Sequence, residues 1–242
     1  MIIEAYPKAI DARTLSTDVP MVHQSDFNPW GQILGSTIMV ALMAVVVHAT
    51  YGRITALLAN PAAGLLDYLA EAGTLCFAGL IGLLCVIRLK PSRQAKGFLP
   101  IAAALGGSFL LTLVNLAPLT ALPGPLKSIA VTLLAFGNVL SVYCLANLGR
   151  SFSILPQARK LVTSGPYGIV RHPLYVAEAI AALGVVLLHF NLLTALTGML
   201  LLGLQMRRVI YEESVLRLAF PEYDAYAAQV PRFIPRLPRL IG

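Results

Sequence analysis

The fold is decided by the stretch LYVAEAIAALGVVLLHF at positions 174–190 and by LLTALTGMLLLGLQMRRVI, which follows Asn191 at positions 192–210. Each is close to the roughly 17–25 apolar residues that a membrane-spanning helix needs. Because a single residue separates them, we expect a tight helical hairpin. Four similar segments precede it, and the six predicted spans are 33–51, 68–89, 98–117, 126–148, 174–190 and 192–210.

The composition agrees with a membrane protein. Of the 242 residues, 57% are hydrophobic and 12% are charged, whereas a soluble domain has about 45–50% apolar and about 25% charged residues. These values exclude an ordinary soluble enzyme, and the hydrophobicity excludes a disordered chain. The three Cys residues, an odd number, do not indicate a disulfide-rich secreted module. We therefore predict an all-α, polytopic transmembrane helical bundle of about six spans.

The distribution of basic residues predicts the orientation in the membrane. If the N-terminus is cytoplasmic and six helices cross, 16 of the 18 Lys and Arg residues are cytoplasmic, and only Arg53 and Lys127 are not. This asymmetry follows the positive-inside rule. Together with contacts to anionic membrane lipids, it accounts for the net charge of +7 without a nucleic-acid partner. We predict an integral, multi-pass protein with both termini in the cytoplasm.

Three regions follow from this pattern. Residues 1–32 form an N-terminal cytoplasmic or interfacial segment, 33–148 hold four transmembrane helices, and 149–242 form a catalytic region with the hairpin and a cytoplasmic C-terminal segment. The first four helices carry almost no charge within the membrane. The polar residues concentrate on either side of the hairpin, so we expect the chemistry there.

Two polar motifs flank the hairpin. The first ends in Arg171-His172-Pro173-Leu174-Tyr175. A proline disfavours helical geometry at His172 and is well placed as the first residue of a helix. The N–H groups at such a helix start suit an anionic group. In the second motif, Arg208 and Glu212 are four residues apart and share one helix face. They either pair with each other or bind two different ligand groups.

Taken together, the motifs resemble the isoprenylcysteine carboxyl methyltransferase family, which forms a wider group with the phosphatidylethanolamine N-methyltransferases. The order of the motifs and the hairpin between them agree with that family. The matching strings are LVTSGPY at 161–167, RHPLY at 171–175, Glu212-Glu213, and Tyr-x-x-Tyr at 223–226 before Val-Pro-Arg. Arg-His-Pro-x-Tyr alone is less specific, because membrane sterol reductases carry a similar string.

The resemblance implies S-adenosyl-L-methionine as the methyl donor, bound on the cytoplasmic side in a pocket that the C-terminal segment closes. It implies no metal. Arg208 and Glu212 are the expected catalytic pair, with Arg208 assigned to the substrate and Glu212 to the donor. The donor-binding residues that it implies are Gln157, Arg159, Lys160, Leu161, Val162, Tyr167, His172, Pro173, Leu174, Tyr175 and Glu212.

The predicted function is methyl transfer to a lipophilic acceptor that enters from the bilayer. The acceptor is a prenylcysteine-type carboxylate, a lipid amine or a thiol. A carboxylate is already ionised at pH 7, whereas an amine or thiol needs a proton acceptor. Glu178, Glu213 and His172 are the candidates for that role. The short length and Ala/Leu-rich helices favour a bacterial inner membrane over the endoplasmic reticulum, and the oligomeric state stays open.

Two alternatives remain. An NADPH-dependent reductase of the sterol-reductase type would share Arg-His-Pro-x-Tyr and an acidic residue like Glu178, with a basic pocket for the 2′-phosphate. A non-catalytic scaffold or a transporter is the other. A transporter needs polar residues near the bilayer midplane, where Asn115 and Asn138 are the strongest candidates.

Three further residues have structural interpretations. Glu213 either is one of the candidate proton acceptors or lies on a solvated helix face, and we expect Tyr223 and Tyr226 to serve packing rather than chemistry.

Overall fold

The computed structural model describes residues 22–24, 29–61, 63–95, 97–114 and 119–236. Asn115 and most of the predicted segment 1–32 lie outside these ranges. Within them the protein is a helical bundle, as predicted. Its helices are α1 (Pro29–Leu58), α2 (Leu65–Ile87), α3 (Phe98–Val114), α4 (Gly124–Leu148), α5 (Pro173–Leu188), α6 (Leu192–Ala219) and α7 (Tyr223–Gln229).

Among the described residues, four helical segments are long and apolar enough to cross a membrane, and they correspond to the first, second, fourth and sixth predicted spans. They are Ser36–Leu58, Leu65–Ile87, Gly124–Ser151 and Leu192–Ala219. The third and fifth predicted spans correspond to the shorter apolar helices Phe98–Leu110 and Pro173–Leu188. The 16 residues of α5 extend about 24 Å at 1.5 Å per residue, less than the roughly 30 Å hydrocarbon core.

A small antiparallel sheet was not predicted. Its strands are β1 (Val22–Gln24), β2 (Arg93–Ala95) and β3 (Gln157–Ala158), hydrogen-bonded in that order. Strands of two or three residues are too short to show the alternation by which strands are recognised in a sequence. The sheet ties the segment that follows α4 to the connection between α2 and α3.

The turn between α5 and α6 is tight, as predicted. The side chain of Asn191 accepts a hydrogen bond from the Thr194 N–H at 2.9 Å, and the Thr194 hydroxyl accepts one from the Asn191 N–H at 3.0 Å. This reciprocal pair is a capping box. Beyond the turn the two helices diverge, because α5 packs mainly against α4 whereas α6 packs mainly against α3.

Glycines allow the close contact between α4 and α5. A Cβ on Gly184 would lie 2.6 Å from the Ala130 carbonyl oxygen and 2.7 Å from the Leu134 nitrogen. A Cβ on Gly137 would overlap the backbone of Ala181. Small residues are typical of membrane helices whose backbones touch. Because α5 packs closely against α4, it lies apart from α6 beyond the turn, and space remains between the helices of the bundle.

Candidate active site

A cleft lies where the segment between α4 and α5 meets α6 and α7, with a volume of about 800 Å³ that includes its opening to solvent. We call it the loop-side cleft. All predicted site residues line it except Pro173, which is buried as the first residue of α5. The predicted residues in the lining are Gln157, Arg159, Lys160, Leu161, Val162, Tyr167, His172, Leu174, Tyr175, Arg208 and Glu212.

Glu212 connects two of the other predicted residues. Its Oε1 accepts hydrogen bonds from the Tyr175 hydroxyl at 2.5 Å and from Arg208 Nε at 3.1 Å. The Arg208 guanidinium carbon also lies 5.0 Å from the centre of the Tyr175 ring, within range of a cation–π contact. The Arg208 side chain is 5% exposed and that of Glu212 is 21% exposed. Arg208 and Glu212 therefore pair with each other in this structure, and the Glu212 carboxylate remains accessible from the cleft.

Arg159 carries an incompletely paired positive charge. The residue is 8% exposed, and Nη2 donates to Gln157 Oε1 at 2.7 Å. Its Nε and Nη1 are buried without a hydrogen-bond partner among the described residues. Burial, together with repulsion from Arg88, lowers the pKa of the Arg159 guanidinium to about 10. A buried charge without a partner is unfavourable, so this group is suited to receive an anion.

The side chain of Gln157 is occupied by protein partners. Its Oε1 accepts from the Ser153 hydroxyl at 2.9 Å as well as from Arg159, and its Nε2 donates to Gln94 Oε1 at 3.2 Å. Gln157 thus orients Arg159 and joins β3 to β2. Gln157 therefore lines the cleft, while the polar atoms of its side chain bind residues of the sheet and Ser153.

The segment 220–236 covers the cleft. The Tyr226 hydroxyl donates to the Tyr167 carbonyl at 2.6 Å, and burial raises the pKa of Tyr226 to about 12, so the phenol keeps its proton at neutral pH. The backbone N–H groups of Arg171 and His172 donate to the carbonyls of Pro231 at 2.8 Å and Arg232 at 3.1 Å. Both Tyr223 and Tyr226 line the cleft. The segment is therefore bound to the residues that precede α5.

The expectation of a solvated Glu213 is wrong, since its side chain is only 1% exposed. Its Oε1 accepts from Arg171 Nε at 3.1 Å and lies 3.1 Å from His172 Nε2. Arg232 donates to both oxygens, at 3.0 and 2.6 Å. The partners come from distant parts of the chain, so periodicity along α6 could not reveal them. The sequence feature that could have indicated partners for Glu213 was the presence of an arginine in each of the Arg-His-Pro and Val-Pro-Arg strings.

A second space lies among the helices, with a volume of about 970 Å³ that includes its opening to the outside, and we call it the bundle chamber. Its lining is largely apolar, with side chains such as Met43, Phe77 and Leu201. Phe152 and Arg208 line both cavities. Sequence reasoning did not identify Phe152 as a site residue, because an aromatic residue after a polar turn has no distinctive chemical signature.

Within the described part of the chain, the bundle chamber is lined by seven polar or charged side chains, namely Thr74, Ser108, Asn138, Ser141, Glu178, Gln205 and Arg208. Asn138, a candidate for a transport role, donates to the Thr74 hydroxyl at 2.8 Å and to the Ala70 carbonyl at 3.3 Å, and so joins α4 to α2. Glu178 and Gln205 also face this space. Among the described residues, no group of three or more His, Cys, Asp or Glu side chains is arranged to hold a metal ion.

Comparisons with known proteins match the part of the chain that contains these features. Residues 130–218 match the isoprenylcysteine carboxyl methyltransferase (ICMT) family. The cobalt-zinc-cadmium resistance protein CzcN of Cupriavidus metallidurans is 41% identical over 98 residues, which cover 38% of this chain and 45% of that protein.

Two eukaryotic proteins are similar over a comparable region. Protein-S-isoprenylcysteine O-methyltransferase of Schizosaccharomyces pombe is 34% identical over 116 residues, 45% of this chain and 49% of that protein. Protein-S-isoprenylcysteine O-methyltransferase B of Arabidopsis thaliana is 31% identical over 117 residues, which cover 46% of this chain and 59% of that protein. The chain spans about half the length of the curated relatives it matches. These matches give no support to the sterol-reductase alternative.

Proposed function

We propose that this chain, whose residues 130–218 match the ICMT family, is an integral-membrane methyltransferase that uses S-adenosyl-L-methionine and a lipophilic acceptor. The observation that carries the proposal is the meeting of two cavities at Phe152 and Arg208. A water-soluble donor fits the loop-side cleft, and an acceptor with an apolar tail fits the bundle chamber. Methyl transfer depends mainly on holding the two reactants in line, which such a junction favours.

The charged groups of the loop-side cleft suit this donor. S-adenosyl-L-methionine supplies an electrophilic methyl group on a positively charged sulfur, and it also carries an ammonium and a carboxylate. We assign the ammonium to Glu212, by a charge-assisted hydrogen bond, and the carboxylate to Arg159, whose Nε and Nη1 lack partners among the described residues. The other proposed donor-binding residues are Gln157, Lys160, Leu161, Val162, Tyr167, His172, Pro173, Leu174 and Tyr175.

Arg208 is proposed to align the acceptor. Its guanidinium is held by Glu212, by the Ser108 hydroxyl at 3.1 Å and by the Ser153 carbonyl at 3.2 Å. Contacts to α3, to the segment after α4 and to its own helix fix this cation at the junction. A fixed group of this kind is pre-organised, so little entropy is lost when substrates bind.

We further propose six membrane crossings with cytoplasmic termini. The two shorter helices would span with local thinning of the bilayer, which has a modest free-energy cost. The two basic residues on the opposite side are each paired with a carboxylate, Arg53 with Glu71 at 2.9 Å and Lys127 with Asp67 at 3.8 Å. A bacterial inner membrane is the proposed location, consistent with the bacterial source of a similar protein.

Calorimetric titration of the detergent-purified chain tests the proposal. We expect saturable binding of S-adenosylhomocysteine and none of NADPH. The variant Glu212→Gln should weaken that binding by about tenfold or more, since a hydrogen bond between charged groups is lost. The variant Glu222→Gln, at an exposed position, should bind normally. Binding of NADPH alone would overturn the proposal.

Transfer of a labelled methyl group completes the test. The donor would be radiolabelled S-adenosyl-L-methionine, and the acceptors would be a prenylcysteine, a long-chain amine and a long-chain thiol in the same detergent. Incorporation into at least one of them is expected. Donor binding without transfer to any lipophilic acceptor would contradict the proposed role of the bundle chamber.

A further inference from the structure

The bundle chamber contains a carboxylate that the proposed donor site does not use. Glu178, on α5, is half-buried and lines the chamber. Its Oε2 accepts a hydrogen bond from Gln205 Nε2 at 3.2 Å. Its Oε1 has no hydrogen-bond partner among the described residues. This oxygen is also not one of the fully buried polar atoms that lack a partner, so it remains accessible. One carboxylate oxygen is therefore open to whatever occupies the chamber.

The charge of Glu178 is not neutralised by a cation of its own. The nearby guanidinium of Arg208 is already paired with Glu212 at 3.1 Å. Its other contacts go to the neutral oxygens of Ser108 and Ser153. Around the junction, two carboxylates thus face one guanidinium. An acceptor with its own carboxylate would bring a second negative charge close to the unpaired Oε1 of Glu178, whereas an acceptor with an N–H, S–H or O–H group would not.

The other two candidates for a proton acceptor are occupied elsewhere. Glu213 is bound by Arg171 and Arg232 and is almost fully buried. His172 has Nε2 directed at Glu213. Both lie on the side of the loop-side cleft, and neither lines the bundle chamber. Of the three residues named from the sequence, only Glu178 faces the proposed acceptor space.

We infer that the acceptor carries a proton on its nucleophilic atom, as an amine, thiol or alcohol with a lipophilic tail, and that Glu178 receives this proton. The inference rests on the proposed methyltransferase function. The nucleophile's lone pair forms the new bond to the methyl carbon, and the carbon–sulfur bond breaks with its electron pair on sulfur. The proton from nitrogen, sulfur or oxygen passes to Glu178 Oε1. The products are the methylated acceptor and S-adenosylhomocysteine, so atoms and charge balance.

Probes with one shared alkyl chain test this inference on the wild-type chain. Dodecylamine, dodecanethiol, dodecanol and dodecanoate differ only in the reacting group, and N-acetyl-S-farnesylcysteine adds a prenylated carboxylate. We expect methyl transfer to at least one of the first three and none to either carboxylate. Transfer to a carboxylate in preference to the others would overturn the inference and leave the proposed function standing.

The variant Glu178→Gln tests the residue itself. Loss of a general base typically lowers turnover by about 10²- to 10⁴-fold. The affinity for S-adenosylhomocysteine should stay unchanged, because Glu178 does not line the loop-side cleft. As a matched control, Glu71→Gln removes a carboxylate on α2 that pairs with Arg53 and lies outside the chamber lining. It should leave both turnover and donor-product binding as in the wild type.

A binding measurement gives a readout that is independent of turnover. In the presence of S-adenosylhomocysteine, a dansyl-labelled long-chain amine should bind more weakly to Glu178→Gln by about tenfold, because one charged contact is lost. Equal binding of the amine to both forms would count against the inference. If Glu178→Gln does not fold, Glu178→Asp replaces it and should retain part of the transfer. Absence of S-adenosylhomocysteine binding in the wild type would instead refute the methyltransferase proposal.

Discussion

Arg232 donates to both carboxylate oxygens of Glu213, at 3.0 and 2.6 Å, and thereby joins the C-terminal segment to α6. The same carboxylate is bound by Arg171 from the segment before α5. Three separate parts of the chain meet at one buried anion. The cover of the loop-side cleft therefore depends on a residue that does not itself line the cleft.

Replacing Glu213 should release this cover. The variant Glu213→Gln keeps the side-chain size and removes the charge that Arg171 and Arg232 share. Breaking a buried ion pair destabilises by roughly 3–5 kcal/mol. We expect faster trypsin cleavage within 220–236 and weaker binding of S-adenosylhomocysteine. The exposed Glu222→Gln variant serves as the control. Unchanged cleavage and binding would show that the cover does not depend on Glu213.

Arg159→Met should separate stability from donor binding. Removing a buried, incompletely paired cation is expected to raise the free energy of unfolding by about 1–2 kcal/mol. The proposed loss of the donor's carboxylate partner should weaken S-adenosylhomocysteine binding by about tenfold or more. Arg207→Met, at an exposed position of α6, should change neither quantity. Thermal unfolding and calorimetry measure the two effects, and a variant that is both less stable and normal in binding would contradict this assignment.

The same residue gives a pH dependence with a definite sign. The pKa of Arg159 is lowered from the usual value of an arginine to about 10 in the folded protein. Between these values the unfolded chain binds more protons, so this residue makes stability rise with pH across that window. The contribution should be absent from Arg159→Met. Chemical unfolding of the wild type and Arg159→Met at several pH values measures this contribution to the free energy of unfolding. The control Arg207→Met should keep the pH dependence of the wild type.

Gly165→Ala should destabilise the turn before α5 for two reasons. Gly165 has φ +60°, which residues with a Cβ rarely adopt, and a Cβ there would lie 2.6 Å from the Asn147 side-chain oxygen. The backbone effect alone is about 1–2 kcal/mol. In a double-mutant cycle, Asn147→Ala should partly restore stability to Gly165→Ala. It should not do so for Gly149→Ala, since Gly149 has φ +52° and open space around it. Equal coupling in both cycles would contradict the contact.

Gly184→Ala should weaken the contact between α4 and α5. The added methyl group would meet the backbone of Ala130 and Leu134 at 2.6–2.7 Å, and overpacking of this kind destabilises by about 1–3 kcal/mol. The matched control is Gly203→Ala on α6, where nothing lies within 4 Å of the new Cβ. Thermal unfolding in detergent compares the two. A melting temperature for Gly184→Ala at or above that of the control would be evidence against tight packing of these helices.

Much of the architecture followed from local patterns. The apolar segments of α1, α2, α4 and α6 were predictable because a membrane helix must satisfy its own backbone and present apolar side chains along its whole length. The tight turn at Asn191 was predictable from the single residue between two apolar runs. The three-stranded sheet was not, because its strands at 22–24, 93–95 and 157–158 pair only across long stretches of chain.

For the site, the sequence by itself determined the family motifs and the set of polar residues around the loop-side cleft, since these are fixed by order and spacing along the chain. Only the tertiary structure decided what each residue contacts. It buried Glu213 beside His172, 41 positions away, and left Glu178 open to the bundle chamber. The physical reason is that burial and charge pairing depend on neighbours in space. Glycines allow α5 to pack closely against α4 and to diverge from α6. This arrangement decides which side chains become neighbours in space.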